Sequence, residues 1–390
     1  MLNFKNRIGL PCIMAALYFL MLPLTISVNS AGSSFLKIAS VPIGAFFLIT
    51  SFFTKKPVSV NMVHVMFMAY TLSTILTLFV DSSAESVSIV LGYVLNAGLF
   101  TVISVVSYNK DELEFLENIQ VVLLIIITAL TLFDNVGSGR ETLTILGQSS
   151  DPNYFVGYFV FPTTITLKKI IESKWRIFYI VLALLGLYVI FLSGSRGGLL
   201  SIIVTFLAFA IIYPEGIKKK ATVLLVLAVS AMVFWVLVSP HLPENIVERM
   251  NIESVIETRG TYRGDIWESM INEIKDSSWE VIFGRGINAK HTMIIAGKLH
   301  SEFAHNHYIQ LLYNQGFLGL ITFFLFIGTA IGRCIKKRKC VSIAIIGMMA
   351  LVFSLSVNPS MKTFWNLIPY AAFAFPVEKK ENIHIKEDAL

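Results

Sequence analysis

The chain has 390 residues, 55% of them hydrophobic and 14% charged, with a mean hydropathy of +0.72 and a formal net charge of +6 at pH 7. A soluble globular domain averages about 25% charged residues, so this composition excludes one. Nearly uncharged apolar runs recur along almost the whole chain, and each approaches the ~20 residues that cross a bilayer as a helix. Hydrocarbon cannot satisfy a bare backbone, so every such run must be helical. The alternating segments of about ten residues that build a transmembrane barrel do not occur. An all-α polytopic membrane protein is expected.

In chain order, about 12 transmembrane helices are expected: near 9–28, 35–53, 58–80, 86–107, 117–134, 153–170, 176–193, 197–213, 220–238, 307–332, 341–357 and 362–377. Lys5 and Arg7 precede the first run as they would in a signal peptide. No small-x-small cleavage site follows, so that run is expected to be retained. The chain then divides into membrane helices 1–9 (residues 1–239), one large external loop between spans 9 and 10 (240–306), membrane helices 10–12 (307–378) and a polar tail (379–390). The large loop carries an amphipathic pattern, with Ile266, Met270 and Ile274 on one helical face.

Placing the N-terminus inside gathers Lys55, Lys56, Lys110, Lys168, Lys169, Lys174, Arg176, residues 218–220, Arg333 with residues 336–339, and Lys379 on cytoplasmic segments. The short outer loops hold only Lys37, Arg140, Arg196 and Lys362. The basic charge is therefore a topology signal and leaves no patch for nucleic acid. Both termini are expected in the cytoplasm. Cys12 lies within a span and Cys334 and Cys340 flank a basic inner loop, so no external disulfide framework is expected.

The inner loops are too short to bind nucleotides, and no phosphate loop, HExxH or CxxC motif is present. The chemistry is therefore expected on the outer face, with no cofactor and no metal. Arg196 stands in the short turn "LSGSRGG". Its guanidinium suits bidentate contact with phosphate, or it snorkels to lipid headgroups. The large loop adds Arg249, Arg259, Arg263 and Arg285. Each alone can be solvated or ion-paired, but several together on one external face suit an anionic substrate. His305 sits where the large loop re-enters the membrane, and a histidine can accept a proton near neutral pH. His307, two residues on, falls on a different helical face. His291 and His300 read as ordinary loop residues.

In this order the motifs resemble the membrane glycosyltransferase superfamily of O-antigen ligases and O-antigen or capsule polymerases, with the related protein O-oligosaccharyltransferases. The marker is a histidine, a small amide, nine residues, then G-x-x-G, met here by His305, Asn306, residues 307–315, Gly316 and Gly319. "SGSRGGLL" resembles the family's serine–arginine–glycine turn and maps its arginine to Arg196. "YRGDIW" resembles its arginine-x-x-x-tryptophan helix start and maps to Arg263, with Arg259 one turn earlier as the other candidate. "IFGRGI" is similar to its G-x-G segment, and "DPN" at Asp151 to Asn153 to the motif opening span six.

The resemblance implies inverting, metal-independent transfer of a glycan from an undecaprenyl-pyrophosphate carrier to an acceptor hydroxyl. The reaction would lie on the outer face of a bacterial cytoplasmic (inner) membrane. His305 would be the catalytic base. Arg196 and Arg263 would hold the pyrophosphate, and Asn306, Arg259, Asp151 and Asn153 would support them. The partners would be the lipid-linked oligosaccharide, an acceptor glycan or lipid, and membrane lipids. Polymerase and ligase differ only in the acceptor, and the Lys- and Ile-rich composition leans toward a polymerase. The non-enzyme alternative is a polysaccharide transporter or flippase with Arg196 and His305 lining a path.

Overall fold

The computed structural model describes residues 8–21, 30–134 (apart from 55, 57 and 59), 144–145, 148–149, 152–213, 216–238, 240, 244, 246–247, 263–275, 278–295 and 298–336. The spans expected at 341–357 and 362–377 lie outside the described residues, as do Asp151, Arg249 and Arg259. The helices before the large loop are α1 (Leu10–Met21), α2 (Ser30–Phe53), α3 (Met62–Leu76, extended by a 3-10 turn Thr77–Phe79), α4 (Ala84–Val105), α5 (Lys110–Asp134), α6 (Pro152–Glu172), α7 (Arg176–Leu192), α8 (Arg196–Ile212) and α9 (Ile217–Val238). Their bounds fall within a few residues of the apolar runs, apart from longer entries into α2 and α5 and from the end of the first run, expected at 28, where residues 22–29 lie outside the described residues. Between α5 and α6 lies a small hairpin of β1 (Thr144–Ile145) and β2 (Gln148–Ser149). Four helices among the described residues are long and apolar enough to cross a membrane, and four more are shorter apolar helices.

Local chemistry sets several of these ends. Asn61 caps α3 by accepting from the Val63 N–H at 3.0 Å, and His64 reaches back to the Asn61 N–H at 3.0 Å. The other ring nitrogen of His64 meets the Ser104 hydroxyl at 2.9 Å and ties α3 to α4. Ser83 caps α4, and Ser195 caps α8 by accepting from Gly198 N–H at 3.1 Å.

The largest apolar cluster runs through α1 to α8 and into the helix that follows the large loop, α12 (His307–Lys336). Phe67, Phe100 and Phe326 stack with centroids 4.4 to 5.8 Å apart and join α3, α4 and α12. Where α6 crosses α8, a Cβ on Gly198 would overlap the Val156 side chain. Glycine is what permits that approach.

The two ends of the bundle differ in chemistry. At one end Lys56 pairs with the buried Glu112, whose carboxylate also accepts from Gly9 N–H and Asn109 N–H. Lys168 and Lys169 pair with Glu117 at that same end. The opposite end carries the α3–α4 turn, the α7–α8 turn with Arg196, the described residues of the large loop from 263 on, and the first arm of the helix that follows it.

Two features depart from the expected all-helical plan. Within the large loop, α10 (Arg263–Lys275) and α11 (Ser278–Phe283) are followed by an antiparallel hairpin of β3 (His291–Ile295) and β4 (Lys298–Glu302). The run expected as a tenth straight span, 307–332, is α12 (His307–Lys336) interrupted at Gly316, where φ is 64° and ψ is −165°. In a straight helix His307 and Phe323 would stand about 24 Å apart. Their ring centroids are 4.8 Å apart, and Tyr308 stacks on Phe324 at 5.4 Å. The chain bends sharply back at Gly316. The short arm 307–315 lies against the long arm 317–336 and is buried along most of its length.

Gly198→Ala is expected to lower the detergent thermal midpoint by the equivalent of about 1–3 kcal/mol, the cost of an overpacked contact. Gly186→Ala places its Cβ in ordinary contact with Leu124 at 3.5 Å and should be neutral or slightly stabilising. A thermal unfolding series on the two variants checks the contrast.

Candidate active site

The site end is built on one backbone interlock. A helix broken at Gly316 leaves the carbonyls of its last turn without partners. Two of them are taken up by the loop: Arg285 N–H donates to Tyr313 O at 2.9 Å and Gly286 N–H to Asn314 O at 3.1 Å. For these backbones to meet, side chains must be missing on both sides. A Cβ on Gly284 (φ 73°) would overlap the Asn314 backbone, and one on Gly316 would overlap the Ile282 backbone. Gly319 leaves room for the Gln315 side chain, whose Oε1 accepts from the Ser73 hydroxyl at 3.3 Å and the Thr74 hydroxyl at 3.4 Å on α3. The G-x-G and G-x-x-G segments are thus two halves of one contact.

His305 lies in the short link between β4 and α12, half-buried, with φ of 48°. It is the one described non-glycine residue at positive φ. Such a conformation costs about 1–3 kcal/mol and persists where its surroundings over-determine it. They do so here. Ala304 is fully buried, its N–H donates to Gln310 Oε1 at 2.7 Å, and its carbonyl accepts from Trp267 Nε1 at 2.5 Å. Asn306 then starts the helix, with Oδ1 accepting from Tyr308 N–H at 2.9 Å and Ile309 N–H at 3.3 Å. Its place after the histidine is that of an N-cap.

His307 is different. It is 2% exposed and packs edge-on against Phe323, so the two histidines face different surroundings.

Arg196 and Arg263 share a feature not apparent from residue type: each is the first residue of its helix, α8 and α10. Both are half-buried. The Ser195-capped start of α8, which carries Arg196, is the positive end of a helix dipole, a setting that favours anions. Trp267, one turn after Arg263 on the same face, makes the bond to Ala304, so α10 carries Arg263 on the face that docks against the link holding His305. Asn153 lies in the first turn of α6.

Arg285 does not join these two. It pairs with Glu273 and with Glu280 (2.9 Å), donates to Tyr313 Oη at 3.1 Å, and lies over that ring. Of the loop arginines, this one braces the loop.

His291, which sequence reading passed over as an ordinary loop residue, is 5% exposed and central to the same brace. Its Nδ1 meets Glu273 Oε2 at 2.5 Å and its Nε2 meets Ser269 Oγ at 2.9 Å. Burial, and then the Arg285 guanidinium, lower its pKa below the ordinary value near 6.5. The ring is neutral at pH 7, donating to Glu273 and accepting from Ser269. This serine–histidine–glutamate row resembles a hydrolytic triad in connectivity. The serine lies mid-helix, however, where backbone N–H groups are already engaged, so no oxyanion site accompanies it. Among the described residues, no group of three or more His, Cys, Asp and Glu side chains is gathered as a metal site.

A protein-family model described as O-antigen ligase matches residues 181–324, from α7 through the bend in α12. The match includes Arg196, Arg263, His305 and both glycine segments. An uncharacterized protein of Haemophilus influenzae is 27% identical over 228 residues, covering 51% of this chain and 55% of that protein. The chain spans about half the length of that relative.

Two outcomes follow from this geometry. Gly284→Ala and Gly316→Ala should each strongly lower the thermal midpoint. Because both disrupt one contact, the double variant should lose less than the sum, which a double-variant cycle measures. For His291, the unfolded chain takes up a proton more readily than the folded one. Stability should therefore fall as pH drops below about 6.5, and His291→Gln should flatten that dependence in a pH series of melting curves.

Proposed function

We propose that this predominantly helical membrane protein, whose residues 181–324 match a family model described as O-antigen ligase, transfers a glycan from a lipid pyrophosphate carrier to an acceptor hydroxyl. The observation that carries the proposal is the placement of His305 at a strained, half-buried position beside the helix that begins with Arg263. The leaving group is a lipid pyrophosphate whose negative charge grows as the glycosidic bond breaks. Arg196, at the Ser195-capped start of α8, and Arg263 stabilise that charge. His305 takes the proton of the acceptor hydroxyl as the new bond forms on the opposite face of the sugar, with inversion. General-base help of this kind contributes about 10²–10⁴-fold. The carrier is undecaprenyl pyrophosphate, which explains a site at the end of a membrane bundle rather than in a soluble domain. The site faces the outside of the bacterial cytoplasmic membrane, opposite the end carrying Lys56, Lys168 and Lys169.

For the acceptor, the Lys- and Ile-rich composition favours a second lipid-linked glycan, as in a polymerase. The matched family is described as O-antigen ligase, which favours transfer to lipid A-core as the second reading.

The test uses purified protein in liposomes with a short glycan on undecaprenyl pyrophosphate. A ladder of lengthened lipid-linked glycan is the polymerase outcome; transfer only after lipid A-core is added is the ligase outcome. In either case His305→Ala, Arg196→Ala and Arg263→Ala should lose at least about 10²-fold in turnover while still inserting and folding. His307→Ala should keep its turnover per folded molecule and lose stability instead. Turnover in His305→Ala equal to that of the unaltered protein would remove His305 from the chemistry.

A further inference from the structure

The two bonds that hold Ala304 single out a residue in the unassigned nine-residue spacer between Asn306 and Gly316. The peptide planes on either side of Ala304 are pinned by side chains from two different helices. Gln310, one turn into α12, accepts the Ala304 N–H through Oε1 at 2.7 Å. Trp267 of α10 donates Nε1–H to the Ala304 carbonyl at 2.5 Å. That carbonyl belongs to the same planar peptide as the His305 nitrogen. The direction of the His305 Cβ is then set by the remaining rotations at His305 itself, and Asn306 fixes the far side by capping the helix.

Gln310 is in turn held at its other atom. Its Nε2 donates to Asn314 Oδ1 at 2.7 Å and reaches the Ala289 carbonyl at 3.5 Å, while Asn314 Nδ2 donates to the Ile287 carbonyl at 2.5 Å. Both side chains are buried, Gln310 at 3% and Asn314 at 2% exposed. A row of two amides therefore runs from the loop after the G-x-G segment to the residue before His305. A primary amide is the group this row needs, because one end must accept and the other donate.

We infer that Gln310 is a positioning residue for the transfer reaction: it does not touch substrate, but holds the Ala304 peptides so that the His305 imidazole meets the acceptor hydroxyl. This rests on the reading of His305 as the base. Removing the amide leaves His305 its basicity but releases the peptide that aims it. Misplacement of a reacting group by about 1 Å costs on the order of 10²-fold in rate.

The experiment compares Gln310→Met, which has similar length but neither acceptor nor donor, with Gln310→Glu, which keeps the acceptor facing Ala304. Turnover is measured per folded molecule in the liposome assay, and hydrogen exchange is followed at the Ala304 amide. Gln310→Met should lower kcat by about 10–10²-fold with the donor KM within about twofold, and should speed Ala304 exchange. Gln310→Glu keeps the acceptor for the Ala304 N–H but loses the donor to Asn314, so it should slow Ala304 exchange again and recover kcat only in part. Trp267→Phe should give the same kcat loss, and the double variant with Gln310→Met should lose less than the product of the two. A kcat in Gln310→Met equal to that of the unaltered protein, with His305→Ala inactive, would overturn the inference and leave the site reading standing. Full activity in His305→Ala would overturn the site reading. In that case faster Ala304 exchange in Gln310→Met would retain only the hydrogen bond, without its role. A rise in KM at constant kcat would also overturn the inference.

Discussion

The rest of the site end depends on one backbone contact, the meeting of residues 282–286 with residues 313–316. Breaking a helix leaves the carbonyls of its last turn without intrahelical partners. Arg285 and Gly286 supply the missing donors, and the glycines at 284 and 316 remove the side chains that would hold the two segments apart. Once the contact forms, α12 cannot continue as one straight rod. Its first arm is turned back and packed under the loop layer, among α10, α11 and the outer part of α3. The polar side chains of that arm, Gln310, Asn314 and Gln315, would be costly on a lipid-facing span. Here they are each hydrogen-bonded to the elements that surround them.

From this bend the chemistry follows by position. The arm begins at Asn306, so the residue just before it must link a strand to a helix in a very short space, and His305 takes up a left-handed backbone to do so. Trp267 and Gln310 hold that link from either side. The brace of Glu273, Arg285, His291 and Tyr313 fastens α10 to the same arm, and α10 begins with Arg263. The result is His305 and Arg263 carried by one braced layer, with Arg196 on the capped start of α8. A lipid-linked anion reaching the membrane boundary suits such a division of labour.

Much of this was legible in the residues. The apolar runs marked where α3, α4 and α6 to α9 lie to within a few residues, because the length of an apolar run and the charges that end it are local properties. The histidine, the two arginines and the paired glycine segments were visible as spacing. The bend at Gly316 was not, because the run 307–332 is apolar enough to span, and only its contact with residues 282–286 shows that it is broken. The β3–β4 hairpin was missed for a similar reason: its strands are short and carry no turn signal beyond a single glycine at 297. His291 looked like a loop histidine because its partners, Ser269 and Glu273, lie some twenty residues away on α10. A signal did exist in the arm itself, where Gln310, Asn314 and Gln315 interrupt an apolar run with amides that a lipid-facing helix would not carry.

The most direct test of this account is a distance across the bend. With Cys12, Cys334 and Cys340 replaced by serine, cysteines are placed at Tyr308 and Phe324 and treated in membranes with a short thiol-to-thiol crosslinker. The bend places these side chains in contact, so rapid intramolecular crosslinking is the expected result, and it should be lost when Gly316 is replaced by alanine. A continuous helix would hold the two positions about 24 Å apart, and the absence of crosslinking in the otherwise unaltered protein would contradict the account.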